Sequence, residues 1–184
     1  MQRIMLDIEW TCDNRCFTNN EIIEIAAMKL DNNLQEIESF HTYVRPRSKS
    51  FLTTFTTKLT GITNNDIKSA PDFPTAFEML RKFVGDEDTL FIMWGTNDEA
   101  VLKRHVYSYG LNQQNKKWFN ALEFKDLQQD YDTMACSRKL TSVTDALINF
   151  GDKYEGSKHR ALNDVFNTCK IYRFMRTYDP GLIA

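Results

Sequence analysis

The sequence predicts an α/β protein in which one mixed sheet carries helices on its faces, with residues 1–184 forming a single domain. Three observations carry this prediction. Residues 2–10, 21–30 and 37–44 read as strands separated by polar stretches. Residues 89–94 form a continuous apolar run of the kind found in a fully buried strand. Residues 73–84 and 160–178 repeat their apolar residues at helical spacing.

Taken in order, residues 2–10 place Ile4, Leu6, Ile8 and Trp10 on one face of a strand and Met5, Asp7 and Glu9 on the other. Residues 11–20 are polar and read as a loop. The Ile- and Ala-rich stretch 21–30 reads as a second strand, closed by the turn Asp31-Asn32-Asn33, and Phe40, Thr42 and Val44 alternate with His41 and Tyr43 in a third. Short connections suggest an antiparallel meander. A basic loop follows at 45–50, as suited to a solvated turn as to a phosphate contact. Residues 51–59 suit a short helix, Gly61 breaks it, and residues 64–67 resemble a helix start. A helix over 73–84 ends at Gly85. The buried strand 89–94 leads through Gly95-Thr96-Asn97 into a helix over 98–109, stopped by Gly110. Residues 118–124 are expected to be the fifth strand, 127–134 a short helix or loop, and 140–150 a helix capped near Thr141 or Ser142. Residues 154–158 read as a loop before the last helix, 160–178.

The chain is of ordinary globular composition, with 42% hydrophobic and 26% charged residues over 184 positions. A net charge of −2 supplies no global basic field to attract nucleic acid. A divalent cation held by acids attracts phosphate by another route. Cys12 and Cys16 are the one close pair among the four cysteines, and their spacing favours free thiols in a reducing, cytoplasmic setting over a zinc or redox site. No apolar run reaches membrane-spanning length, so no membrane partner is expected.

Two carboxylates aimed at one spot from inside an apolar strand need a counter-charge, because unpaired buried charge is expensive. Asp7 and Glu9 are such a pair. Asp98 opens a helix after a strand, where ligand groups gather in open α/β sheets, although by itself it reads first as an ordinary helix-start acid. His159 and Asp164 are five apart, about 140° on a continuous helix. They can share one site when His159 lies in the preceding loop and Asp164 one turn into the helix. By itself His159 reads as a surface loop histidine. Together, Asp7, Glu9, Asp98, Asp164 and His159 are the set that two-metal phosphodiester hydrolysis requires, and oxygen-only ligands suit two Mg²⁺ or Mn²⁺ ions. His159 is then the general base. A non-catalytic nucleic-acid-binding or scaffold protein on the same fold would be expected to have lost one of the five, and all are present.

The ordered set resembles the DEDD exonuclease superfamily in its histidine-bearing (DEDDh) branch. Leu6-Asp7-Ile8-Glu9-Trp10-Thr11 looks like the first motif, Asn97-Asp98 the second, and His159 through Asp164 with Thr168 beyond the third. Tyr43-Val44-Arg45-Pro46 followed by Leu59-Thr60-Gly61-Ile62-Thr63 is similar to the branch of histone-mRNA and small-RNA 3′ exonucleases and their sporulation-inhibitor-like bacterial relatives. The resemblance implies a ribonuclease H-like fold, with strand order 3-2-1-4-5 and the second strand antiparallel to the rest. It also implies 3′→5′ hydrolysis of single-stranded RNA or DNA to nucleoside 5′-monophosphates. Glu9, Trp10 and Thr11 would line the pocket for the terminal nucleotide, and Leu59, Thr60 and Gly61 would meet its base and the next.

Overall fold

A computed structural model describes residues 1–12, 20–48 and 51–178. Five strands form one sheet: β1 (Gln2–Trp10), β2 (Ile22–Leu30), β3 (Glu36–Tyr43), β4 (Thr89–Met93) and β5 (Glu123–Asp126). Their order is β3-β2-β1-β4-β5. The first three strands pair antiparallel, and β1–β4 and β4–β5 pair parallel, which makes the sheet mixed as expected. The helices are α1 (Thr54–Thr60), α2 (Asn64–Lys68), α3 (Phe73–Val84), α4 (Asn97–Ser108), α5 (Gln113–Asn120), α6 (Leu127–Met134), α7 (Val143–Asn149) and α8 (Ala161–Tyr178).

Alternation in β1 divides the core. Ile4, Leu6 and Ile8 bury against Phe73, Phe77, Leu80, Leu102 and Val106, beneath α3 and α4. Met5 buries on the opposite face with Leu127, Leu147, Val165, Cys169 and Tyr172, beneath α6, α7 and α8. A smaller cluster of Ile23, Leu52, Ile62 and Ile67 packs α1 and α2 onto the sheet. A buried histidine holds the start of β2: His105 Nε2 accepts the Ile22 N–H at 3.1 Å while Nδ1 faces the Val101 carbonyl at 2.8 Å. Burial lowers its pKa to about 4, so it stands as a neutral strut.

The fifth strand is displaced from its expected place. Residues 113–120 are helical because Asn112 caps them, its side chain accepting the Asn115 N–H, and Trp118 and Phe119 pack on Phe77. Those aromatics favour a strand by propensity, but packing and the cap override it. The strand itself begins at Glu123. The expected helix over 140–150 is shorter, because the Ser142 side chain accepts the Asp145 N–H and starts it at Val143. The helix expected over 51–59 starts at Thr54, capped by Thr53, and Gly61 closes it at φ +71°. Cys16, with most of the loop 11–20, and two residues of the basic loop, 49–50, lie outside the described residues.

Candidate active site

Asp7 and Glu9 project from one face of β1, as strand alternation requires, and Asp164 approaches from the first turn of α8. One oxygen of each lies within 4.8 Å of the other two. Such hard oxygen donors suit Mg²⁺ or Mn²⁺. Asp98 sits in the first turn of α4 and is buried. Its Oδ1 accepts the N–H of Ile8, the residue between the two acids, at 3.1 Å. That bond fixes α4 against β1 and sets Asp98 beside the cluster of three, close enough for its charge to act on Asp7 and Glu9.

His159 and Asp164 take the predicted arrangement. His159 precedes α8 at φ +58°, exposed, while Asp164 lies inside the helix. Asp164 is held by two donors: Tyr154 Oη at 2.9 Å to Oδ1 and the Arg160 N–H at 3.0 Å to Oδ2. Asn167 in turn clasps the backbone N–H and C=O of Glu155, which fixes the loop bearing Tyr154.

Burial dominates the electrostatics. It raises Asp7 well above the carboxylate range, with Asp98, Asp164, Glu9 and Glu24 adding repulsion. Burial, with the charges of Asp164, Glu24 and Asp98, pushes Glu9 up to about 9. Burial lifts Asp98 to about 7 against the opposing bond from Ile8. Asp164 rises too, through burial, although Tyr154, His159 and Arg160 pull it down. A cluster that resists ionising alone is one that a bound cation stabilises.

The residues expected to meet substrate differ in exposure, and Trp10 packs on the face of Ile4, Leu6 and Ile8, opposite Asp7 and Glu9. A bulge between Glu9 and Trp10 offsets the pairing with β2. Trp10 lines a cleft of about 290 Å³ with Asn20, Asn97 and Arg104. Thr11 is buried, its Oγ1 accepting the Glu21 N–H at 3.0 Å, so its side chain ties β1 to β2. Thr60 is buried too, its hydroxyl bonded to the Thr56 carbonyl, whereas Gly61 is exposed and Leu59 half-buried. The Thr56 hydroxyl donates to the Cys12 carbonyl and accepts the Cys12 N–H, which holds α1 against the end of β1.

Sequence reasoning missed Glu24. It lies opposite Glu9 in the sheet and is fully buried. Its oxygens take His41 Nε2 at 2.7 Å, the Ala161 N–H at 2.9 Å and the Arg160 guanidinium at 3.3 Å. Burial opposes ionisation, but these donors pull its pKa below the ordinary value, so Glu24 is the charged post to which the start of α8 is moored. The signal was available: one acid in an otherwise apolar stretch from Ile22 to Met28. Tyr154 carried no such mark.

A family model described as Exonuclease matches residues 4–172. The probable 3′-5′ exonuclease KapD of Bacillus subtilis is 27% identical over 94% of this chain and 83% of its own length. ERI1 exoribonuclease 3 of Mus musculus is 29% identical over 92% of this chain and 52% of its own length. ERI1 exoribonuclease 2 of Danio rerio is 28% identical over 95% of this chain, which spans only 35% of that protein. Among solved structures, the nuclease domain of 3′hExo, a DEDDh family member bound to rAMP, superposes with a TM-score of 0.86. It is 23% identical, over 99% of this chain and 94% of that one. At that identity the likeness shows the fold, with the same mixed five-stranded architecture.

Proposed function

This chain belongs to the exonuclease family, and from that premise we propose that it removes nucleotides from the 3′ end of single-stranded nucleic acid with the help of two divalent cations, Mg²⁺ or Mn²⁺, releasing nucleoside 5′-monophosphates. The carrying observation is the convergence of Asp7, Glu9 and Asp164 within 4.8 Å, drawn from elements far apart in the chain. When bound, the cations supply charge neutralisation at the phosphate, an acidified water and stabilisation of the leaving 3′ oxygen.

The chain's own groups do the rest. Asp7, Glu9 and Asp164 would hold the cations, and Asp98 would complete the acid set from the start of α4. His159 accepts the proton of the attacking water from its loop, free of the helix that fixes Asp164. Tyr154 and Arg160 hold both oxygens of Asp164 in place. Glu9, Trp10, Thr11, Leu59, Thr60 and Gly61 are assigned to the terminal nucleotide. Thr11 and Thr60 serve from within, by shaping the backbone.

The relatives and neighbours point in the same direction: one neighbour is described in 3′-end-specific recognition of histone mRNA stem-loop, and another, Escherichia coli exonuclease I, in complex with a dA16 oligonucleotide. The test is Mn²⁺-dependent release of mononucleotides from matched single-stranded RNA and DNA. Asp7→Asn and Asp164→Asn are expected to abolish it. Wild-type rates in either variant would place the site elsewhere. His159→Ala is expected to fall by about 10²–10⁴-fold while still binding cation.

A further inference from the structure

The end of the sheet that gathers the acids also carries a cationic cleft. Tyr43 ends β3 in register with Glu24, and Glu24 is in register with Glu9. Two inter-strand spacings therefore separate Tyr43 from the acid cluster, about 10 Å. Just beyond Tyr43, Arg45, Arg47 and Lys68 line a cleft of about 590 Å³, together with Phe51 and Asn64. Its floor is apolar and buried, at Pro46 and Ile67. Phe51 stands 73% exposed, an aromatic ring offered to solvent at a cationic surface. The wall is built: Asn64 Oδ1 accepts the Leu52 N–H at 2.7 Å, which joins α2 to the segment carrying Phe51.

Charge makes the cleft stand out. The whole chain has a net charge of −2, yet three cationic side chains meet here. Among the described residues none of the three is in an ion pair. Arg47 lies over the Tyr109 ring at 5.7 Å. Three acids lie nearby: Asp66 accepts the backbone N–H and hydroxyl of Thr63, Asp72 caps α3 through the Thr75 N–H with the Arg45 charge acting on it, and Glu21 accepts the Arg47 and Ser48 N–H groups and the Tyr109 hydroxyl. A second cleft of about 390 Å³ shares Arg45 and Arg47 and extends the groove past Asp72 toward Tyr109.

We propose that this groove is the track for the strand upstream of the terminal nucleotide. Arg45, Arg47 and Lys68 take the non-bridging oxygens of successive phosphates, and a base stacks on Phe51. Backbone-tracking cations beside an aromatic platform are how sequence-tolerant single-strand sites are built. The assignment rests on the exonuclease reading only for the direction in which the strand is fed; the binding itself does not depend on hydrolysis.

The test separates the two. A 5′-fluorescein-labelled single strand of about twelve nucleotides, within the span such grooves cover, is titrated by anisotropy in chelator over a salt series, as RNA and as DNA. For Arg47→Ala combined with Lys68→Ala, the slope of log affinity against log salt is expected to become shallower by about 1.4, since each contact to a single strand contributes about 0.7. Phe51→Ala is expected to weaken binding about tenfold and leave the slope alone. Lys139→Ala, in the exposed segment between α6 and α7, is the control for general charge loss. With Mn²⁺ present, the ratio of KM for a dinucleotide to KM for the longer strand is expected to collapse toward one in the double variant. Wild-type slope and wild-type KM ratio in that variant would overturn the groove, as would absence of strand binding by the unaltered protein. Groove-dependent binding without any hydrolysis would sustain the groove and sink the exonuclease reading.

Discussion

At the scale of single residues, Asp7 and Glu9 were legible because two acids on one face of an apolar strand have no cheap explanation, and Asp98 and Asp164 because each follows a recognisable break into a helix. Glu24 escaped because its partners, His41, Ala161 and Arg160, come from two other elements, and nothing local announces them. The elevated acids set a pH dependence. A carboxyl whose folded pKa lies above its unfolded value stabilises the fold at low pH and loses that contribution as pH rises through the folded value. With Asp98 at about 7 and Glu9 at about 9, the cation-free protein is expected to lose thermal stability steadily from pH 5 to pH 9. Asp7→Asn, measured by thermal melts in chelator at pH 8, should melt higher than wild type while being inactive; a lower melt would mean that the acids do not repel one another. His159 adds a second contrast. At φ +58° it occupies the left-handed region, which costs a non-glycine residue about 1–2 kcal/mol. His159→Gly relieves that strain and raises unfolded-chain entropy by a comparable amount. The variant should therefore unfold at nearly the same urea midpoint and lose turnover.

At the scale of elements, the start of α8 matters most, because it carries Asp164 and leads directly from His159. It is fixed to the sheet by Glu24 and to its own loop by Tyr154. Removing one partner of a buried charged pair typically costs about 3–5 kcal/mol. Arg160 is partly exposed, so Glu24→Ala is expected near the lower end, about 3 kcal/mol by urea denaturation, with activity lost in step as Asp164 shifts. A variant with wild-type stability would show that the mooring is dispensable. Gly61 offers a smaller test. No atom lies within 4 Å of an added Cβ, so Gly61→Ala meets backbone strain alone, about 1 kcal/mol. Strong periodicity made α3 and α8 readable to within a residue or two. The fifth strand was misplaced because Trp118 and Phe119 look like strand residues until Asn112 is seen capping a helix beneath them.

At the scale of the molecule, the antiparallel meander of the first three strands and the buried apolar strand that follows were readable from pattern, whereas the order β3-β2-β1-β4-β5 was implied by the family resemblance. The division of the core into two faces was equally visible in the alternation of β1. The ordered set of acids already grouped residues 7 and 164, and the fold supplies the distance at which they meet. That meeting has a thermodynamic consequence. A cation gripped by Asp7, Glu9 and Asp164 is a reversible cross-link that closes nearly the whole chain into one loop, and clips that close long loops have the largest entropic leverage. Raising Mn²⁺ should therefore lift the melting temperature steadily with the logarithm of its concentration, in the absence of any nucleic acid. Catalytic ion and structural staple would be one and the same, so chelation would loosen the two ends of the chain from each other as well as silence the site.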